Sequence, residues 1–419
     1  MSIGIYGVGF VGKEVAELAV ARGRSVTCVD VDPAVVERIE AEEYLAVADH
    51  DRVSATTDGA AVAAEADTCL VTVPTPVDGA ERVDLGPLRS AAETIGEGLR
   101  GREGTDPCLV VVESTVPPGT VRREIAEIFD TYGLERGVDY HLAAVPERVD
   151  PGNDEWPLEA IPRVVGALSE AGLERATAFY DDLLDAAVHP VDSVEIAEVS
   201  KIVENAFRDI NIAFANEIAV SLDSLDVDAR AAIDAASTKP FGFMGFEPGA
   251  GVGGHCIPVD PHLLIGEAED AGFTHELLTV ARAINNRMPE YVAEMTVDAL
   301  TRERVLPQDA SVLLLGRAFK PDLADDRNSP YFEIREGLAD YDVAVETYDP
   351  VLAEASTVDS PYQPVDAVVV VTDPAEFADL DPERFAEMGV STVVDGRDAF
   401  DAEAVEAAGL RYEAVGRSE

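Results

Sequence analysis

Apolar positions recur along this chain in two rhythms, and the rhythm changes near residue 194 and again near 308. The opening "IGIYGVGFVGKEVAELAVARGRSVTCVDVDP" gives an apolar strand, a glycine turn, a segment with apolar residues three and four apart, and a second strand ending at Asp30. Such a change of period, from two to 3.6 and back, predicts a βαβ unit. Apolar runs follow at "TCLVTVP" (68–74), "CLVVVEST" (108–115), "HLAAVPE" (141–147) and "PRVVGA" (162–167), with helix-spaced segments between several of them. Strands alternating with helices predict a parallel, doubly wound sheet.

From 194 to 225, "VEIAEVSKIVENAFRDINIAFANEIAVSLDSL" keeps three- and four-residue apolar spacing without Gly or Pro, which predicts one long helix. Helices continue through about 296, broken by the Gly/Pro-rich stretch 240–261. Strands separated by helices return at "ASVLLLGRAF", "VAVETYDP", "DAVVVVTDP" and "STVVDGRDAF", and "ETYDP" echoes the "VDVDP" of the first unit. The expected architecture is α/β: two Rossmann-like doubly wound lobes, 1–190 and 301–419, joined by a central helical region, 191–300.

Composition narrows the partners. The formal net charge is −51, from 82 acids against 31 bases. Such an imbalance repels nucleic acid and anionic membranes. Recurrent apolar periodicity argues against a disordered acidic chain, so the charge coats a folded surface. Lysine occurs only at 13, 201, 239 and 320. Arginine as the main base, with the acid excess, predicts a protein suited to concentrated salt, where repulsion is screened. Cys28, Cys69, Cys108 and Cys256 are too few and too scattered for a disulfide framework or a paired zinc site. With no apolar run of membrane length and no signal-peptide layout, a cytoplasmic location is expected.

Gly7, Gly9 and Gly12 form G-x-G-x-x-G between strand and helix, with Asp30 at the end of the second strand. In that context the glycines serve a tight turn, close pyrophosphate approach and helix–strand packing, and the acid bonds a ribose while repelling a 2′-phosphate. NAD is the expected cofactor. Cys28, Cys69 and Cys108 lie in apolar runs and read as core residues. Cys256 instead lies in "PGAGVGGHCIPVDP" (248–261), a loop where backbone amides can hold a thiolate for attack on a carbonyl. A metal site of His255, Cys256, Asp260 and His262 is the rival reading, disfavoured by adjacent ligands and restraining prolines; an inert structural cysteine is another.

These motifs, with "VPTP" (73–76), "ESTVPPGT" (113–120), "PERVDPGN" (146–153), "SKIVENAFRDINIAFANE" (200–217) and "GRAFKPDLADDRNSP" (316–330), resemble the UDP-glucose/GDP-mannose dehydrogenase family over essentially the whole chain. The resemblance implies an NAD-binding domain, a central helix forming a homodimer interface, a C-terminal UDP-binding domain, and two oxidations of a UDP-sugar at C6 through a thiohemiacetal and a thioester. It implies Cys256 as nucleophile, Lys201 and Asn205 as the polar pair around the C6 oxygen, and Asp260 in their network. Glu147 becomes the carboxylate of thioester hydrolysis, and Thr115 the hydroxyl placing water and nicotinamide. Phe10, Val11, Thr75 and Arg327 join the glycines and Asp30 at the cofactor. Val149, Gly253, Lys320 and Arg397 join Lys201 and Asn205 at the substrate.

Within the family, "PERVDPGN" and the 200–217 helix resemble the branch acting on UDP-N-acetylhexosamines, UDP-N-acetylmannosamine foremost. Arg148 and Arg208 are the expected donors to diphosphate or acetamido oxygen; pairing with this chain's many acids is their other reading. His255 and Val259 stand where UDP-glucose enzymes usually carry Ser and Lys, and "ADDRN" where "DDLRE" is common. UDP-glucose oxidation is the alternative, and a two-electron dehydrogenase of hydroxy-acid or 6-phosphogluconate type a further one, which would need no thiol.

Overall fold

A computed structural model describes residues 2–78, 82–102, 106–150, 152–153 and 155–418. They form two compact units. The first runs to Glu204 and takes in His262–Phe273; the second comprises Asn205–Pro261 and the chain from Thr274 onward.

In the first unit, strands β1 (Ser2–Tyr6), β2 (Ser25–Val29), β3 (Val53–Thr56), β4 (Thr68–Val71), β5 (Cys108–Val112), β6 (Tyr140–Ala144), β7 (Arg163–Ala167) and β8 (Val188–Pro190) make one sheet in the order β3-β2-β1-β4-β5-β6-β7-β8. Central strands read as unbroken apolar runs because both faces are covered. In β5, Cys108, Val110 and Val112 enter one core, and Leu109 and Val111 the other.

One sequence expectation needs correcting: the sheet is not wholly parallel, since β7 runs antiparallel to β6. Parallel neighbours need a crossover, usually a helix. Among the described residues between these two strands the one helical element is the short 3-10 turn Leu158–Ala160, and the chain turns back on itself. Sequence patterning also passed over β3, β8 and β13 (Arg411–Ala414), all at sheet edges where little apolar surface is buried.

The second unit holds a wholly parallel sheet of β9 (Ser311–Leu315), β10 (Ala344–Tyr348), β11 (Ala367–Val370), β12 (Thr392–Asp395) and β13, ordered β10-β9-β11-β12-β13. The predicted long helix spans Val194–Asp223, and the division between units falls within it. Among the described residues no helix is long and apolar enough to cross a membrane.

Candidate active site

The strand order of the first sheet reverses at β1, between β2 and β4, the crevice where open α/β sheets bind ligands. Gly7 sits there at φ +88°, a left-handed conformation that favours glycine. A Cβ on Gly12 would lie 2.1 Å from the Gly7 carbonyl oxygen, so any larger residue would push the helix off the strand. A Cβ on Gly9 would meet nothing within 4 Å; the backbone there faces open space. The helix Phe10–Ala21 begins with no side-chain cap and no acid in its first turn, leaving its amides to an anion. Phe10 is exposed and Val11 half-buried beside it. The Asp30 carboxylate is fixed by the Val8 amide (2.9 Å) and the Asp32 amide (3.0 Å). These features fit a dinucleotide: glycines where backbone must come close, free amides for phosphate, and an acid for the ribose.

Thr75 and Thr115 meet. The Thr75 hydroxyl donates to the Thr115 carbonyl at 2.7 Å, and Ser114 Oγ to the Val73 carbonyl at 2.7 Å, tying together the loops after β4 and β5. The far end of the second loop is held by Glu198 of the long helix, whose carboxylate accepts from the Gly119 (2.6 Å) and Val121 (2.8 Å) amides. Burial pushes Glu198 up to about 7, against the pull of those two amides. Lys201 lies one turn further along that helix and is 9% exposed, unusual burial for an amine and unlike a solvated helix lysine. Asn205 follows one turn later.

Glu147 is 2% exposed and accepts from Arg163 Nη1 at 2.7 Å and from the Val149 amide. Arg163 is itself buried on β7, and losing one partner of such a pair costs about 3–5 kcal/mol. Arg148 is engaged on three sides: Nε (3.0 Å) and Nη2 (2.5 Å) meet Glu204, and Nη1 meets the Pro162 carbonyl (2.9 Å).

In the second unit, Asn205 Nδ2 donates to Asp260 Oδ2 at 2.6 Å, and the Asp260 amide donates to the Cys256 carbonyl at 2.9 Å. Three residues expected from sequence thus gather here. Cys256 is exposed, whereas the other three cysteines are buried. Its loop rests on the segment 319–330. The Gly254 amide donates to the Arg327 carbonyl (3.0 Å), Asn328 Nδ2 donates to the Gly254 carbonyl (2.9 Å), and a Cβ on Gly253 would fall 2.7 Å from that of Phe319. At its other end the Gly249 amide donates to Asn216, which bonds Asn285, which in turn bonds Asp209, the partner of Arg282.

The remaining expected residues are spread out. Arg327 is exposed and grips Asp325 (Nη2–Oδ2 2.5 Å), and Arg397 is exposed and meets Asp373 (3.0 Å). Lys320 is half-buried, and Arg208 is exposed on the long helix. Among the described residues no group of three or more His, Cys, Asp or Glu side chains is arranged to hold a metal ion. Sequence reading gave no role to Glu113, Arg163, Glu198, Asn216 or Asn285. Their one signal is a polar residue set among apolar ones, as in "VVVEST" or "IAEVSK", which marks burial but names no partner.

The glycine turn, the uncapped helix start and Asp30 at the switch point of the first sheet mark the first unit as a dinucleotide-binding domain. Family models of the UDP-glucose/GDP-mannose dehydrogenase family match in three parts: the NAD binding domain at residues 1–184, the central domain at 195–287 and the UDP binding domain at 313–402. UDP-N-acetyl-D-glucosamine 6-dehydrogenase of Pseudomonas aeruginosa is 34% identical over 330 residues, 76% of each chain. UDP-N-acetyl-D-mannosamine dehydrogenase of Pyrococcus horikoshii is 32% identical over the full length of both. A solved structure of a UDP-D-ManNAc dehydrogenase from Pyrococcus horikoshii superposes with a TM-score of 0.90 at 30% identity, covering 100% of this chain and 99% of that one. The chain belongs to the UDP-glucose/GDP-mannose dehydrogenase family and is an NAD-dependent enzyme.

Proposed function

We propose that the protein oxidises a UDP-N-acetylhexosamine, UDP-N-acetyl-D-mannosamine foremost, at C6 to the uronate, with Cys256 as the covalent nucleophile. The observation carrying this reading is the exposed Cys256 in a glycine loop bonded to Asp260 and, through it, to Asn205. Full-length similarity to a relative named for that substrate supports the sugar. NAD, held by Gly7, Gly9, Gly12, Phe10, Val11 and Asp30 with Thr75 and Thr115 near the nicotinamide, supplies a hydride acceptor for each oxidation. Lys201 and Asn205 stabilise negative charge on the C6 oxygen. The Cys256 thiolate adds to the aldehyde carbon, giving a thiohemiacetal whose oxidation leaves a thioester. Glu147 draws a proton from water as it attacks; the C–S bond breaks, and thiolate and carboxylate result. Lys320 and Arg397 serve the diphosphate side, and Arg148 and Arg208 the acetamido or diphosphate oxygens. Because Arg148 and Arg327 are held by Glu204 and Asp325, a ligand must share or displace those acids.

A site that hydrogen-bonds the acetamido group leaves donors unpaired with a sugar lacking it. Comparing kcat/KM for UDP-N-acetylmannosamine, UDP-N-acetylglucosamine and UDP-glucose should therefore place UDP-glucose at least about a hundredfold below the better acetamido sugar. A preference for UDP-glucose overturns the sugar. One NADH per sugar with an aldehyde product overturns the four-electron scheme.

A homodimer is the proposed assembly. Ile196, Val203, Phe207 and Phe214 recur at seven- and four-residue spacing along the long helix and are each about half exposed. Such a stripe is a seam for a second helix. Sedimentation should give twice 44.6 kDa under assay conditions, and a 44.6 kDa active species rules it out.

A further inference from the structure

Glu113 and Glu147 leave the ends of the neighbouring parallel strands β5 and β6, joined by the Glu147 amide donating to the Glu113 carbonyl at 3.1 Å. Both residues are 2% exposed. Their surroundings differ. Glu147 Oε1 takes the Arg163 guanidinium and an amide. Among the described residues, Glu113 Oε1 accepts the Tyr180 hydroxyl, while its Oε2 is buried with no hydrogen-bond partner, as is Arg163 Nε. The groups facing Glu113 are Arg163 from β7, Tyr180 from the helix Glu170–Leu183, Glu147, and Lys201 from the long helix. Glu14, from the helix Phe10–Ala21, faces Glu147; burial first, and then the Glu147 charge, push it up to about 7.

We propose that Glu113, with Tyr180 bonded to it, is a positioning residue acting through Glu147: it holds a proton beside that carboxylate and sets the pH above which thioester hydrolysis runs at full rate. The proposal rests on the reading of Glu147 given above. A proton on Oε2 of Glu113 breaks no hydrogen bond, so the pair can take one up without rearrangement. Burial, opposed first by Arg163 and then by the Tyr180 hydroxyl, brings Glu113 to about 7. When Glu113 loses its proton, a second negative charge stands beside Glu147 and makes it a stronger base toward water. The reaction needs such a proton outlet: R–CH2OH, two NAD+ and water become R–COO−, two NADH and three protons.

The test is the pH dependence of uronate formation in single turnover with the best sugar of the panel, for the wild type, Glu113→Gln, Tyr180→Phe and Glu147→Gln. The wild type should show a limb rising through neutral pH, about tenfold per pH unit below it. Glu113→Gln should lose the limb and stay about tenfold below wild type at pH 8, with KM for NAD unchanged. Tyr180→Phe removes a donor to the ionised form, so it should move the limb to higher pH; it carries the test if Glu113→Gln does not fold. These two variants leave Glu14 in place, so they are what assign the limb. A purely structural role would lower the rate at every pH and leave the limb in place. Should both variants keep the limb at the wild-type pH while Glu147→Gln is inactive, the proposal falls and the reading of Glu147 stands. Glu147→Gln at the wild-type rate overturns both.

Discussion

Cys256→Ser is expected to lower kcat on the order of a thousandfold or more while leaving the dissociation constant for NAD within about twofold. The asymmetry follows from what the thiol touches. The cofactor cradle lies at Gly7–Gly12 and Asp30 in the first unit, whereas Cys256 belongs to the second and contributes nothing to dinucleotide binding in the scheme proposed. A serine hydroxyl has the thiol's position but is a far weaker nucleophile, so the captured aldehyde intermediate does not form and the second oxidation stalls. The other cysteines provide an internal control. Burial pushes Cys28 up to about 12, and Cys69 is raised by its bond with Cys108 and by burial. All three are sealed in the first sheet's cores. Iodoacetamide at neutral pH should therefore label Cys256 first and inactivate the enzyme in step with that label. Uronate production by Cys256→Ser at more than a tenth of the wild-type rate would mean that the carbon–sulfur intermediate is not on the path.

The split between what could be read from the chain and what could not follows the range of the interactions. Strands such as "CLVVV" and the helix from 194 are written in local periodicity, because an element buried on two faces needs apolar residues at every position and a long helix needs an uninterrupted register. Edge strands bury less and leave fainter marks, which is why Val53–Thr56 and Arg411–Ala414 went unseen. The glycine turn and the cysteine loop were legible because their residue types are forced: Gly12 and Gly253 have no room for a Cβ. Pairings were not legible. Nothing in "PRVVGA" says that its arginine meets Glu147 across an antiparallel turn-back, nor does "IAEVSK" say that Glu198 caps a loop some eighty residues earlier. Such contacts depend on strand order, which a single sequence expresses only weakly. The arginines illustrate the same limit: Arg148, Arg327 and Arg397 were read for their reach toward a ligand, and each meets a carboxylate of its own unit.

The charge predicts an effect that no single pair can give. With 82 acids against 31 bases, the bases cannot neutralise the acids, and the formal net charge is −51. Salt acts on this in two opposed ways. It weakens exposed pairs such as Arg22–Asp185, Arg52–Asp49 and Arg89–Glu124, each of which contributes about 0–1 kcal/mol. It also screens the repulsion among the excess acids, shortening the Debye length from about 10 Å at 0.1 M to about 3 Å at 1 M. Pairs in contact at 2.7–2.8 Å are close to the shorter length and keep part of their attraction. Acids separated by several residues' width lie between the two lengths and lose most of their repulsion. Unfolding spreads the charge and relieves the same repulsion, so screening favours the compact state. Raising KCl from 0.1 M to 1 M is therefore expected to raise Tm by about 5 °C, which at about 2.1 cal/mol/K per residue is on the order of 4–5 kcal/mol for 419 residues. Activity should rise in parallel. Sodium chloride should act as potassium chloride does, since the effect is screening, whereas equal osmolality of sucrose should give only a small part of it. A Tm that stays level or falls with KCl would mean that the paired arginines, and not the excess acids, dominate the surface electrostatics.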